Sequence, residues 1–264
     1  MAGLDVLPNL ESPSKKADDW RDGFCLAVGW LFLFWWAADL FIAFFLNESA
    51  KLSVLWFCNI SIGLFAIGIL FRLPGLLVAV YSYVAFIQPL WIADFTWRTL
   101  FGLDIIGDTT FMFEKSFLFV DFLNMFSHFL LLPLGLLVLL RIARPIRSAY
   151  LVAICYALIL LPLSYLLSDA PYNLNCAYTS CGRTPSLGLE GAAYLLFFLA
   201  AIICIGLAAC FFVSAALRRY SSSPHKKAIG RRIWGGIAAY FAFVFVIYAL
   251  GIIKYFSVTG NTVF

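Results

Sequence analysis

The sequence predicts an all-α integral membrane protein with seven transmembrane helices, its N-terminus in the cytoplasm and its C-terminus outside. Three observations lead to this prediction. The composition is 64% hydrophobic and 12% charged, whereas soluble domains are about 45–50% apolar and about 25% charged. Seven long apolar runs are each bounded by charged or turn residues. Lys and Arg concentrate in alternate links between these runs, thirteen on one side and five on the other.

The seven runs are long enough to be helices that cross a bilayer, because ~20 residues at ~1.5 Å each span ~30 Å of hydrocarbon. Strands of a membrane barrel would be about half as long and would alternate in polarity. The runs form one transmembrane domain, residues 23–257, between a soluble tail at 1–22 and a C-terminal tail at 258–264. The first tail lacks the pattern of a cleavable signal peptide. The predicted runs are about 23–46, 52–71, 75–94, 117–140, 148–168, 189–217 and 232–257.

The distribution of basic residues orients the helices. The basic side holds the N-terminal tail, Arg72, the link at 141–147 and the linker at 218–232. We expect this side to be cytoplasmic, which places the long loops at 95–116 and 169–188 outside. Aromatic side chains in these loops predict that they fold back over the bundle. The 218–232 linker is interpreted as a determinant of topology, with contact to anionic lipid as the alternative.

The fourth run, Phe117 to Leu140, contains an unusual set of polar residues for a membrane helix. Asp121, Asn124 and His128 fall within roughly 60° of one another on a continuous helix. A charged side chain facing lipid costs at least ~2.5 kcal/mol, so this polar stripe must face protein or a watery cavity. We therefore predict that the helix forms one wall of a polar site inside the membrane.

Other polar residues occur at a similar depth, in the outer half of the predicted bundle. They include Asp39, Asn59 and Gln88, which we expect to contribute to the same pocket. Lys254 lies near the outer end of the last run and is expected to reach the membrane surface. Prolines inside three predicted helices would each free a backbone carbonyl four residues earlier, and such kinks either open a pocket or serve packing alone.

The seven cysteines do not form a zinc-like pattern, and we expect no metal and no cofactor. Cys176 and Cys181 share the second outer loop, where an oxidising compartment favours a disulfide. Cys58 adjoins Asn59 and is predicted ~9 Å below the outer surface, against ~16 Å for His128. A nucleophilic cysteine needs a base, so Cys58 and His128 could form a catalytic pair oriented by Asp121 or Asn124. The alternative is an inert thiol and a histidine that hydrogen-bonds between helices.

These positions carry a resemblance to a known family. The stretches LWFCNISIGLFAIGILF, FSHFLLLPLGLLVLL, SDAPYNLNCAY and RTPSLG resemble small multi-pass membrane proteins of the YwaF kind, over roughly 52–188. Eukaryotic relatives of that family resemble ether-lipid acyltransferases with an intramembrane cysteine and histidine. The resemblance implies that Cys58 is the nucleophile, His128 the base, and Asn173 and Asn175 the loop asparagines. One position departs from it, because the expected Cys-Asp pair reads Cys58-Asn59.

Two functions follow from this reasoning. The first is an enzyme that transfers or hydrolyses an acyl group of a lipid through Cys58 and His128. The second is a non-catalytic membrane subunit, or a protein that binds a lipid or small molecule, in which the polar residues pack helices together. Membrane lipid is the expected partner in both, with protein subunits in the second. The hydrophobicity excludes nucleic-acid binding, and a plasma or inner membrane is the favoured location.

Overall fold

A computed structural model describes residues 23–46, 55–107, 109–113, 119–142, 146–168, 174–177 and 189–259, and these residues contain helices and no strand. Five helical segments are long and apolar enough to cross a membrane, and two shorter apolar helices accompany them. All seven coincide with predicted runs, so the prediction of an all-α multi-pass membrane protein is confirmed. The orientation in the membrane stays a prediction.

The helices follow one another in an up-and-down order. We call the end of the bundle that holds residues 46, 101, 167 and 259 the outer end, and the opposite one the inner end. Two single-turn 3₁₀ segments, Thr110–Phe113 and Leu174–Cys176, lie at the outer end. The α-helices are α1 (Gly23–Phe41, continued by a π-helical turn Ile42–Leu46), α2 (Phe57–Leu70), α3 (Pro74–Phe101), α4 (Phe119–Asn124), α5 (Phe126–Ile142), α6 (Ser148–Leu167), α7 (Gly191–Ser222) and α8 (Lys226–Thr259).

Helix α3 is the centre of the bundle and packs against α2, α5, α6, α7 and α8. It begins with Pro74, whose missing N–H is tolerated in the first turn of a helix. It ends at Gly102, which adopts a left-handed backbone with φ 73°. The helix extends seven residues beyond the predicted end at residue 94, so part of the predicted outer loop 95–116 is helical.

Prolines occur inside α3, α5 and α6, as the sequence predicted. Pro133 in α5 cannot donate to the carbonyl of Phe129, four residues earlier. That freed carbonyl accepts a hydrogen bond from the Tyr240 hydroxyl of α8 at 3.0 Å. At this position the interrupted helix therefore provides an attachment point for its neighbour.

Two hydrophobic clusters hold the helices together. The larger joins α1, α2, α3, α5, α6 and α7. The smaller lies towards the outer end and joins α3, α4 and α5 to α8 through aromatic rings, with Phe95, Phe122 and Tyr248 in mutual contact. The Tyr248 hydroxyl also donates to the carbonyl of Phe122. Helix α8 is thus fixed to the bundle mainly through its outer half.

Two differences from the predicted elements bear on the site. The run predicted as one helix at 117–140 is interrupted at Met125, which separates α4 from α5. The geometry of a continuous stripe therefore does not extend from Asp121 and Asn124 to His128. The predicted basic linker at 218–232 is largely helical, because α7 continues to Ser222 and α8 begins at Lys226.

Candidate functional site

Helix α2 begins at Phe57, whose side chain is held by α3 and α6. The Phe57 ring contacts Tyr83 of α3 and Tyr156 of α6, with ring centroids 5.1 and 4.5 Å apart. Phe57 is half-buried between these helices. The first N–H groups of a helix have no partner within it, so the Phe57 N–H needs one from elsewhere in the protein.

Asn175, in the 3₁₀ turn of the second outer loop, supplies one of these partners. Its Oδ1 accepts from the Phe57 N–H at 2.7 Å. Its Nδ2 donates to the Leu55 carbonyl and to Ser164 Oγ, each at 2.7 Å. The Asn175 backbone has φ 53°, a left-handed conformation that asparagine adopts more readily than most residues. A residue of the outer loop therefore caps a helix that lies 118 positions away in the sequence.

A second set of hydrogen bonds closes around the same helix start. Tyr156 donates its hydroxyl to the Phe57 carbonyl at 2.9 Å, and Ser61 donates to that carbonyl at 2.6 Å. The two hydroxyls are 2.9 Å apart. Cys58, the residue after Phe57, carries a half-buried thiol that is not part of a disulfide. We call Phe57, Ser61, Tyr156, Ser164 and Asn175 the α2 cap cluster; it is a polar structural centre that borders Cys58.

His128 lies in a different environment, at the start of α5. It is buried, and its ring stacks on Trp91 of α3 with centroids 5.0 Å apart. Its Nδ1 is 3.2 Å from the Met125 carbonyl and 3.4 Å from Ser127 Oγ. A carbonyl can only accept, so Nδ1 carries the proton in the bond to Met125. The partners of this histidine are its own helix turn and an aromatic ring.

The two predicted catalytic residues therefore belong to separate surroundings. The hydrogen bonds of His128 go to Met125 and Ser127, and its ring stacks on Trp91. Cys58 follows Phe57, whose ring contacts Tyr83, eight residues before Trp91 on α3. The Cys/His pair stays a prediction, and the geometry gives it no direct support.

The other predicted site residues are placed as follows. Asn59 and Asp39 are buried, and the facing pairs Phe32–Phe65 and Trp36–Gly63 put them at similar levels on antiparallel α1 and α2. Gln88 is buried one turn before Trp91, and its Nε2 has no hydrogen-bond partner. Residues whose side chains lie outside the described part of the chain are Asp121, Asn124, Asn173 and Cys181. The predicted disulfide of Cys176 with Cys181 consequently stays a prediction.

Sequence reasoning missed the role of Asp94, whose carboxylate organises the first outer loop. It is fully buried at the end of α3. It accepts hydrogen bonds from the N–H groups of Ile105, Ile106, Gly107 and Thr109 and from Thr109 Oγ1, at 2.8 to 3.2 Å. Glycines at 102 and 107, both with positive φ, were the available sequence signal for this tight fold-back.

Lys254 also has a role other than the expected one. Its Nζ donates to the carbonyls of Arg98 and Thr99 at the C-terminal end of α3, the second at 3.2 Å. A cation at a helix C-terminus is favourable because the last carbonyls carry partial negative charge. Lys254 therefore fastens α8 to α3 at the outer end instead of reaching the surface alone.

Two cavities of ligand size among the described residues are candidate sites. An apolar crevice of about 540 Å³ lies between α1, α4, α5 and α8 in the outer half, lined by residues such as Trp35, Phe126 and Tyr248. A larger cavity of about 750 Å³, which we call the inner cavity, lies between α5, α7 and α8 at the inner end. Apolar side chains line most of the inner cavity, and Arg219, His225 and Arg232 lie at its rim.

No set of three His, Cys, Asp or Glu side chains that could hold a metal occurs within the described part of the chain. Comparison with family models, curated proteins and solved structures finds no match for this chain.

Proposed function

We propose that this chain is an integral membrane protein that binds a membrane lipid in the inner cavity without catalysing a reaction on it. The cavity itself is the observation on which the proposal rests. Its volume of about 750 Å³ falls within the ~300–1,000 Å³ typical of ligand sites. Its walls are mainly apolar, and its charged lining residues Arg219 and Arg232 both lie near the link between α7 and α8, which matches an amphipathic ligand.

The way α8 attaches to the bundle explains why this space is open. Most buried side chains of α8, from Val244 to Tyr255, lie in its outer half, where the aromatic cluster and Lys254 hold it. In the inner half Ile237 is buried, whereas a Cβ on Gly235 or Gly236 would meet nothing within 4 Å. The inner half of α8 therefore has fewer buried side chains than its outer half. The cavity beside it is partly open to its surroundings, so in a bilayer an acyl chain can enter and fill it.

Acyl transfer by Cys58 is the second candidate function. The observation in its favour is a half-buried thiol, not part of a disulfide, in the first turn of α2 next to Phe57, whose carbonyl accepts from the Tyr156 hydroxyl. The local partners of His128 argue for a structural role of that residue instead. The resemblance to proteins of the YwaF kind belongs to this candidate.

Lipid binding is tested by filling the cavity. Ala216 lines it, and Ala216→Trp should reduce the lipid that remains bound through purification, measured by native mass spectrometry. The matched control is Ala208→Trp, on an exposed position of the same helix that does not line the cavity. Equal lipid retention by both variants and the wild type would contradict the proposal.

The same preparations separate the two candidates. A binding protein retains its lipid in Cys58→Ala and His128→Ala, with no acyl adduct on the wild-type thiol. An enzyme shows an adduct on Cys58 that hydroxylamine removes, and its acyl transfer disappears in both variants.

A further inference from the structure

Basic side chains from the end of α7, the start of α8 and the link between them line the inner cavity. Arg219 lies in the last turn of α7, Arg232 lies in the second turn of α8, and His225 lies in the link between the two helices. All three line the cavity opening together with Tyr220 and Ser223. Each arginine has an immediate neighbour, Arg218 or Arg231, that is exposed but does not line the cavity.

The protein provides few acidic groups near this rim. No Asp or Glu follows Glu190 in the sequence, so α7 and α8 contain none. The inner links at 71–73, 143–147 and 223–225 contain none either. Acidic residues of the N-terminal tail are the remaining source of negative charge on the inner side. Two guanidinium groups at the mouth of an apolar cavity thus favour an anion that comes with an apolar body.

The wall below the rim is suited to an acyl chain. The lining includes the half-buried Leu136 and Leu140 of α5 and Val213 of α7, with the buried Leu139 and Leu217 of the core behind them. From Arg219 to Val213 the wall of α7 extends ~9 Å into the bundle at 1.5 Å per residue. The positively charged end lies at the predicted cytoplasmic side, where anionic lipids give membranes a negative surface potential.

We propose that the ligand of the inner cavity is an anionic phospholipid, with its phosphate between Arg219 and Arg232 and one acyl chain against the leucines of α5. This inference rests on the proposed function and adds the headgroup chemistry. A planar guanidinium binds two oxygens of a phosphodiester at once. A zwitterionic lipid carries the same phosphodiester together with a cation, and the two arginines repel that cation, so they favour the lipid with net negative charge.

The test uses the full chain, purified in detergent and stripped of lipid. Phosphatidylglycerol or phosphatidylcholine with identical acyl chains is added, and binding is measured by native mass spectrometry and by the shift in melting temperature. The wild type should bind phosphatidylglycerol more tightly. Arg219→Gln with Arg232→Gln should weaken this binding about 25-fold, since each basic residue near an anionic lipid contributes roughly a factor of five.

The matched control is Arg218→Gln with Arg231→Gln, which removes the same charge from the neighbouring positions and should keep the preference. Equal binding of both lipids by the wild type would overturn the inference while leaving the proposed function intact; binding of neither lipid would overturn both. Equal losses in the two double variants would reduce the effect to general charge and overturn the inference.

Two further measurements test whether the arginines bind a soluble anion or an acidic group of the protein instead of a lipid. Inorganic phosphate and glycerol phosphate, at the concentration at which the lipid shifts the melting temperature, should produce no shift. A full shift with either would identify a soluble anion as the ligand. Without lipid, the Arg219→Gln and Arg232→Gln variant should melt like the wild type. A lower melting temperature would show that the arginines already pair with protein, such as the acidic N-terminal tail, and would overturn the inference.

Discussion

Replacing Asn175 should destabilise the bundle more than a loop substitution ordinarily does. The side chain connects the second outer loop to the buried start of α2 through three hydrogen bonds of 2.7 Å. Asn175→Ala removes all three. It leaves the Phe57 N–H and the Leu55 carbonyl without that partner, whereas Ser164 keeps its own bond to the Leu160 carbonyl.

The expected magnitude follows from these losses. A buried polar group deprived of its partner costs ~1–3 kcal/mol, so two backbone groups cost ~2–6 kcal/mol. Alanine in the left-handed conformation observed at Asn175 adds ~1–2 kcal/mol. We therefore expect a loss of about 5 kcal/mol in the free energy of unfolding for Asn175→Ala. Asn175→Gly tolerates the backbone conformation and should lose about 1 kcal/mol less.

The assay is thermal unfolding in detergent, with the two variants measured beside the wild type. Chains of this size lose ~2–4 °C of melting temperature per kcal/mol, so Asn175→Ala should melt at least ~10 °C lower. A melting temperature within ~2 °C of the wild type would refute the reasoning, because it would show that water or other groups satisfy the α2 start. Full recovery in Asn175→Gly would assign the whole effect to backbone strain instead of hydrogen bonding.

Two more substitutions test the outer loop and the centre of the bundle. Asp94→Ala removes the acceptor of four loop amides, so amide hydrogen exchange at 105–109 should accelerate at least ~10-fold. Exchange in α6 should stay unchanged. Unchanged exchange in the loop would contradict this role of Asp94. Gly206→Ala should lower the free energy of unfolding by ~1–3 kcal/mol, and with it the melting temperature, because the new Cβ would collide with the Tyr83 ring. Gly235→Ala, where a Cβ meets nothing within 4 Å, is its control and should be neutral or stabilising.

The membrane class and the helical segments were predictable because they depend on local composition. A run of twenty apolar residues has few alternatives to a helix in a bilayer. The ends of the helices were less accessible, since distant partners decide them. Helix α3 continues past residue 94 to Phe101, where Lys254 of α8 caps its last carbonyls. Helix α2 starts at Phe57 with Asn175 as its capping partner. The sequence close to residue 57 or residue 101 does not show that Asn175 or Lys254 will bind there.

The depth predicted for Cys58 depends on where α2 begins. The estimate assumed that α2 starts at the outer surface near residue 52, which put Cys58 ~6 Å outside His128. In the structure α2 begins at Phe57, whose N–H binds Asn175 of the outer loop, whereas the His128 ring stacks on Trp91. The residue types suited a nucleophile and a base, but their separation depends on where each helix begins. Chemistry inferred from residue types needs that tertiary information before it can be assigned.

The two ends of the bundle balance their charges differently, and this difference bears on where a ligand binds. At the outer end Asp94 accepts from backbone N–H groups, and Asp104 forms a 2.7 Å salt bridge with Arg98. At the inner end Arg219 and Arg232 line an open cavity, and the neighbouring links supply no carboxylate. Arginine side chains that line a cavity, with no carboxylate on the neighbouring links, favour the binding of an anion at the inner end. This argues for the inner cavity, rather than the polar residues of the outer half, as the place where this protein meets its ligand.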